Sequence, residues 1–254
     1  MSNVSYNPYS LENKTILVTG ASSGIGRATA LECAKLGARV IITARNKDRL
    51  NDTLQMLNVS GTEHKQIITD LTVEKQLIDM VMQLPVLDGC VNNAGIAHSR
   101  PIQFYKTEDI ERIYQVNVVA PMLLTKELVK RKKLNKPSSI VFTSSIGGVF
   151  NIEPGNGIYG SSKCALDGYM RYAAKELAMK GIRCNSVNPG MVETPLIKQG
   201  TFTQDDMQKD LAKYSLQRYG EPRDIALAIV YLLSDASSWV TGTSLKIDGG
   251  RTLN

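Results

Sequence analysis

The sequence predicts a doubly wound α/β domain with about seven parallel strands and helices on both faces. Three observations carry this. Short apolar runs that do not alternate with polar residues recur along the chain, as strands covered on both faces require. Longer stretches of helical period separate them, so strands and helices alternate. A glycine-rich turn follows the first run directly and opens a helix.

The runs, in order, are Thr15–Thr19, Val40–Thr43, Gln66–Thr69, Leu87–Asn92, Ile140–Thr143, Ile182–Val187 and Ser244–Ile247. Several are rich in β-branched residues, which suit strands. From Thr107 to about Lys133, Ile110, Ile113, Val116 or Asn117, Pro121, Leu124 and Leu128 form one helical stripe. Pro121 has no N–H for the carbonyl of Asn117, which predicts a kink and an unpaired carbonyl there, an anchor for a proton-relay water beside Lys163. From Tyr159 to Lys180 the stripe is Tyr159, Lys163, Leu166, Met170, Ala174 and Leu177. This buried seam therefore carries a phenol and an ammonium one turn apart, and a buried lysine needs compensation.

The 254 residues suit one domain, with 1–10 as an N-terminal extension and 192–219 as a substrate-lid insertion. Hydrophobic content of 43% excludes a disordered chain. No apolar run reaches bilayer-spanning length, and the N-terminus does not read as a signal peptide. Cys33, Cys90, Cys164 and Cys184 form no paired motif, which fits a cytoplasmic protein, and His64 and His98 complete no metal-ligand cluster. A net charge of +6 is too mild for nucleic-acid binding and no aromatic–basic motif accompanies it. His98 reads as a loop residue, Cys164 as a packing residue and Trp239 as core or subunit contact.

The turn Thr19-Gly20-Ala21-Ser22-Ser23-Gly24-Ile25-Gly26 places glycines and a helix start where backbone can approach a pyrophosphate. The second strand ends Thr43-Ala44-Arg45-Asn46. Folds that bind NAD place an acid there. Arg45 instead offers a guanidinium fork to a 2′-phosphate, which predicts NADP(H).

These residues resemble the classical short-chain dehydrogenase/reductases, and the resemblance runs from about Leu11 to Gly250. The motifs appear in order: the turn at Thr19–Gly26, Asp70, Asn92-Asn93-Ala94-Gly95, Asn117, Ser144-Ser145, Tyr159–Lys163 with its Y-x-x-x-K spacing, Pro189-Gly190 and Asp248–Gly250. The family implies a Rossmann-type fold, a nicotinamide cofactor, no metal and a homotetramer or dimer. It implies a catalytic set of Asn117, Ser145, Tyr159 and Lys163. Cofactor contacts fall on Gly20, Ser22, Ser23, Gly24, Ile25, Gly26, Arg45, Asp70, Leu71, Asn93, Ala94, Gly95, Tyr159, Lys163, Pro189, Gly190, Val192 and Thr194. One departure stands out. The family serine lies thirteen residues before the tyrosine, where this chain has Ile146. Ser145, fourteen before, takes the assignment, with Ser144 as the alternative and one extra residue in the loop 147–158.

The implied reaction passes a hydride between nicotinamide and a carbonyl or secondary alcohol, the hydride chemistry being the cofactor's. Tyr159 is the acid or base, Lys163 lowers its pKa and holds the ribose, and Ser145 bonds the carbonyl oxygen. Substrate loops are expected at 96–105, 147–158 and 192–219, the last with Leu196, Ile197, Phe202, Met207, Leu211 and Tyr214. The basic run Lys130-Arg131-Lys132-Lys133, with Lys136 and Lys180, is similar to the carrier-protein-facing surface of 3-oxoacyl-(acyl carrier protein) reductases. Against that, Ile96-Ala97-His98-Ser99-Arg100 lacks their Thr-Arg-Asp pattern. An acyl-thioester substrate with an acyl carrier protein as partner, and a sugar, polyol or other small ketone, stand as alternatives. A catalytically idle NADPH sensor or scaffold is the reading from another class, disfavoured because all four catalytic positions are filled.

Overall fold

In a computed structural model, which describes residues 6–57, 62–194 and 204–253, the seven predicted strands form one parallel sheet of order β3-β2-β1-β4-β5-β6-β7. The strands are β1 (Thr15–Thr19), β2 (Arg39–Ala44), β3 (Lys65–Ile68), β4 (Leu87–Asn92), β5 (Leu134–Thr143), β6 (Ile182–Pro189) and β7 (Ser244–Ile247). Their continuous apolar runs have a simple cause. Ile16 and Val18 of β1 join one buried cluster, with Ala30, Cys33, Ile225 and Ile229. Leu17 joins the cluster on the other face, with Leu77, Leu124, Leu166 and Met170. The five inner strands β2, β1, β4, β5 and β6 thus feed two cores, and neither of their faces accepts polar alternation.

Helices α1 (Gly24–Lys35), α2 (Lys47–Leu57) and α9 (Pro222–Leu233) contribute to the first cluster. Helices α3 (Glu74–Gln83), α5 (Ala120–Lys130) and α7 (Gly157–Leu177) contribute to the second. Sequence order reverses between β1 and β4, which pair side by side with Val18 opposite Val91. Such a switch point opens a crevice at the carboxyl ends of the strands.

The largest departures from the sequence reading lie in β5, in the long helix and at two exposed side chains. Strand β5 starts at Leu134, six residues before the predicted Ile140. The exposed Asn135-Lys136-Pro137 breaks the apolar pattern, yet Leu134 still pairs with Leu87. The stripe from Thr107 is not one kinked helix. Helix α4 (Thr107–Tyr114) passes into a π turn at Gln115–Val119 and then into α5. The Ala120 N–H reaches back five residues to Gln115 O, so the helix widens around the donor that Pro121 lacks. Trp239 is 98% exposed, and Cys164 is exposed on α7, so neither packs in the core.

The first described residues are tied to the body. Pro8 O accepts the Ala236 N–H at 3.0 Å, and Leu11 is fully buried. Of the expected lid, 204–211 forms α8 and Tyr214 is buried. Leu196, Ile197 and Phe202 lie outside the described residues, as does the side chain of Met207. Among the described residues no helix is long and apolar enough to cross a membrane.

Candidate active site

The crevice is floored by the glycine turn between β1 and α1. Gly20 and Gly24 take φ of +65° and +53°, a region that disfavours side chains. A Cβ on Gly26 would lie 2.4 Å from Gly20 O and 2.5 Å from Asn93 Nδ2. The turn closes on itself and against the segment after β4. Thr19 ties the two: its hydroxyl donates to Val91 O at 3.1 Å and accepts from Asn93 N–H and Ala94 N–H at 2.9 and 3.0 Å. Asn93 Nδ2 donates to Thr19 O at 3.0 Å. Ser23 caps α1 with no side-chain bond, so its hydroxyl does not occupy the first helical N–H groups.

Arg27 and Thr53 buttress the same turn. Arg27 Nη2 donates to Ser22 O at 2.7 Å, and Thr53 Oγ1 donates to Ala21 O at 3.0 Å. The sequence reading assigned neither. Their one signal is a polar residue on the inner stripe of α1 and of α2.

At the adenine side, Arg45 is exposed beyond β2 and lies 3.7 Å from Asp70 Oδ2. Burial works to raise the Asp70 carboxyl, but two bonds from Thr72 and the Arg45 charge outweigh it and hold its pKa below the ordinary value. Leu71 packs against the second core cluster. Ile25 packs against the first cluster, and Val192 is buried within it. Thr194 stands over the turn, its methyl 3.1 Å from where a Gly24 Cβ would be. Pro189 is buried, and Gly190 lies against Asp248, with 3.1 Å between its notional Cβ and Asp248 Cα.

Asn117, Ser145, Tyr159 and Lys163 converge at the carboxyl ends of β4 and β5. A Cβ on Gly95 would lie 3.3 Å from Asn117 Oδ1 and 3.4 Å from Lys163 Nζ. A Cβ on Gly147 would lie 3.3 Å from Ser145 Oγ and 3.9 Å from Tyr159 Cε1. Lys163 Nζ sits 5.7 Å from the Tyr159 ring centroid and donates to Thr143 O at 2.8 Å. The Asn117 side chain holds the Ile96 backbone from both sides, accepting its N–H at 2.9 Å and donating to its O at 3.0 Å. It also donates to Ser162 Oγ at 3.1 Å. The direct partner of Lys163 Nζ is the Thr143 carbonyl at the end of β5.

The two serines separate by position. Ser144 is buried, and its hydroxyl donates to the Lys163 carbonyl at 3.0 Å. Ser145 is half-buried, accepts from Gly147 N–H at 3.0 Å and hydrogen-bonds Tyr159.

Electrostatics depart from the expected ammonium-tuned phenol. Burial raises the Tyr159 pKa above its ordinary value, and the Ser145 bond offsets part of this. Burial pushes Lys163 down to about 8. Desolvation wins because the ammonium is 4% exposed and its partner is a neutral carbonyl.

The residues fit a dinucleotide. The turn is a cradle that any Cβ would fill, next to free helix N–H groups. Four buried polar atoms at strand ends also have no partner: Thr43 Oγ1, Asn92 Nδ2, Thr143 Oγ1 and Asn188 Oδ1.

His98 sits at the mouth, its Nε2 3.3 Å from Asp109 Oδ2. The basic run is partly occupied internally. Arg131 Nε bonds Glu127 Oε2 at 2.8 Å, and Lys133 Nζ donates to the carbonyls of Met82 and Leu84.

Comparison with known proteins gives one consistent answer. A family model described as enoyl-(acyl carrier protein) reductase matches residues 20–252. A 3-oxoacyl-(acyl carrier protein) reductase of Thermotoga maritima is 36% identical over 94% of this chain and 98% of its own. An L-xylulose reductase of Caenorhabditis elegans is 35% identical over 97% of this chain and 98% of its own. Among solved structures, the Pseudomonas aeruginosa RhlG/NADP active-site complex superposes with a TM-score of 0.90 at 28% identity, covering 97% of this chain and 100% of that one. The chain belongs to the classical short-chain dehydrogenase/reductase family, oxidoreductases that act on CH–OH and C=O groups.

Proposed function

We propose that the protein is an NADP(H)-dependent ketoreductase acting on acyl-type substrates, resembling 3-oxoacyl-(acyl carrier protein) reductases. The observation that carries the reaction class is the convergence of Ser145 and Tyr159 beside Gly147 with Lys163, whose Nζ lies 5.7 Å from the Tyr159 ring centroid. The cofactor is NADP(H). Arg45 stands where an NAD site would carry an acid, and the RhlG structure is an NADP complex.

When bound, NADPH supplies the hydride that the carbonyl carbon accepts. Tyr159 hands its phenolic proton to the carbonyl oxygen, and its raised pKa keeps it an acid at neutral pH. Ser145 Oγ, beside Tyr159, turns its one proton to the same oxygen as charge develops there. Lys163 remains cationic below about pH 8 and would hold the ribose of the bound cofactor behind Tyr159. Asn117 fixes the Ile96 backbone, and with it the Gly95 wall.

The acyl reading draws on exposed apolar side chains in the segments flanking the cleft. Ile102 and Phe104 precede α4, Phe150 and Ile152 lie on the loop before Tyr159, Leu216 lies between α8 and α9, and Leu253 follows β7. Such a rim suits an apolar tail better than a hydroxyl-rich sugar. A sugar or polyol reductase is the second reading, favoured by the 35% identity to the L-xylulose reductase.

The test is consumption of NADPH with acetoacetyl thioesters beside 2-keto sugars, for wild type and Tyr159→Phe. Turnover of the thioester that falls by about 10²–10⁴-fold in Tyr159→Phe supports the proposal. Turnover confined to sugars moves the substrate to the second reading. Tight NADPH binding with no turnover of either would make the protein a sensor.

A further inference from the structure

Two loops frame the candidate site. One is the loop before Tyr159. Within it Gly148 N–H donates to Asn151 O at 2.7 Å, and Asn151 Nδ2 donates to Glu153 Oε1 at 3.1 Å. Gly147, at its start, lies beside both Ser145 and Tyr159. The other loop follows β6, where Met191 N–H donates to Tyr214 Oη at 3.0 Å. Tyr214 is 4% exposed.

A third segment, after β7, reaches both. Gly190 packs against Asp248 Cα, so this segment sits against the loop after β6. Its turn is fixed by Asp248, whose carboxylate accepts from Gly250 N–H, Thr252 N–H and Thr252 Oγ1. The turn projects Arg251. Its side chain is 12% exposed, Nη2 lies 2.5 Å from Glu153 Oε1, and Cζ lies 6.0 Å from the Tyr214 ring centroid. Lys246, on β7, adds a parallel contact, with Nζ 5.2 Å from the Phe150 ring centroid. A guanidinium suits this place because one face can lie on an aromatic ring while its edge bonds a carboxylate.

We propose that Arg251 is a positioning residue for the reaction: it latches the loop before Tyr159, through Glu153, to the Tyr214–Met191 wall. The latch spans the mouth rather than the reacting atoms. It sets the gap between the walls and so acts on how substrate is held, not on proton delivery. Glu153 is the movable half, its side chain 39% exposed against 12% for Arg251. The role in turnover rests on the site assignment above; the latch itself does not.

The test uses four variants of the full chain: Arg251→Gln, Arg251→Lys, Glu153→Gln, and the double swap Glu153→Arg with Arg251→Glu. Amide hydrogen exchange is read in the ligand-free protein over 147–157, and steady-state kinetics are read separately. Exchange over 147–157 is expected to quicken in Arg251→Gln and Glu153→Gln and to slow again in the swap and in Arg251→Lys. KM for the carbonyl is expected to rise about tenfold in the two Gln variants, with kcat and the NADPH Kd within about twofold. Unchanged exchange in both Gln variants would overturn the latch. Quickened exchange with unchanged KM, or with kcat falling in step with thermal stability, would overturn the positioning role. A wild type that reduces no carbonyl would sink the functional reading alone, and exchange would still decide the latch.

Discussion

The two sides of the crevice are built differently. The cofactor side is made of main chain: a glycine turn closed on its own carbonyl, and the Thr19 hydroxyl stitched to neighbouring backbone. The substrate side depends on side chains that reach across long stretches of sequence, such as Glu153 to Arg251 and Tyr214 to the Met191 backbone. Backbone geometry restricts residue type tightly, because few residues tolerate a positive φ or a 2.4 Å approach. Side-chain latches can be exchanged as pairs without disturbing the sheet. One side is therefore suited to a constant ligand and the other to a changing one.

The two serines test this division most strongly, since one points each way. Ser145→Ala removes the hydroxyl that meets Tyr159 and is expected to lower kcat by about 10²–10³-fold, as for other oxyanion-type donors. Ser144→Ala removes a bond to the Lys163 carbonyl and is expected to cost about 1 kcal/mol of stability with little change in kcat. Steady-state kinetics and denaturant unfolding on the two variants check both. A large kcat loss in Ser144→Ala would exchange their assignments.

Lys163 sits where the two sides meet, and its burial makes a second prediction. Its pKa falls from 10.5 to about 8 in the folded protein. Below pH 8 both states bind the proton and the folded state bears the whole desolvation penalty. Between about 8 and 10.5 the unfolded chain holds the proton and the folded one releases it, so stability rises with pH. Relative to Lys163→Met, the ligand-free wild type is expected to gain about 3 kcal/mol across that window. Urea titrations at pH 7.5 and 10.5 measure it, and a constant difference would refute a buried, depressed ammonium. In turnover, loss of the Lys163 proton is expected to make kcat/KM for reduction fall above about pH 8.

The same contrast explains what was legible in the sequence. All seven strands were found, three of them, β1, β4 and β7, with the limits the structure shows, because short apolar runs mark them, most with both faces buried. The glycine turn and the Tyr159–Lys163 spacing were visible because turn and helix fix them locally. The start of β5 was hidden, since Pro137 and its neighbours look like loop while Leu134 still pairs with Leu87. Pro121 signalled a disturbed helix but not its form: a π turn and a kink both dispose of one missing donor. The sign of the Tyr159 shift was missed because spacing shows that an ammonium is near, but not how dry the site is. Arg251 and Glu153 lie 98 residues apart, and no local pattern joins them.

Arg45 offers the smallest effect and the finest test of the cofactor side, because the contact proposed for it would come from an exposed side chain. It is 63% exposed and lies 3.7 Å from Asp70, so part of its charge is already answered. A 2′-phosphate brings more negative charge and can accept two parallel N–H bonds, so it competes well with a single carboxylate oxygen. Arg45→Ala is expected to raise KM for NADPH about tenfold and to leave KM for NADH within about twofold. Exposure adds a second signature. Screening acts within about 8 Å at physiological ionic strength, so the wild-type preference is expected to shrink with added salt while the variant stays flat. Equal salt slopes for the two proteins would place 2′-phosphate recognition elsewhere, on backbone rather than on this guanidinium.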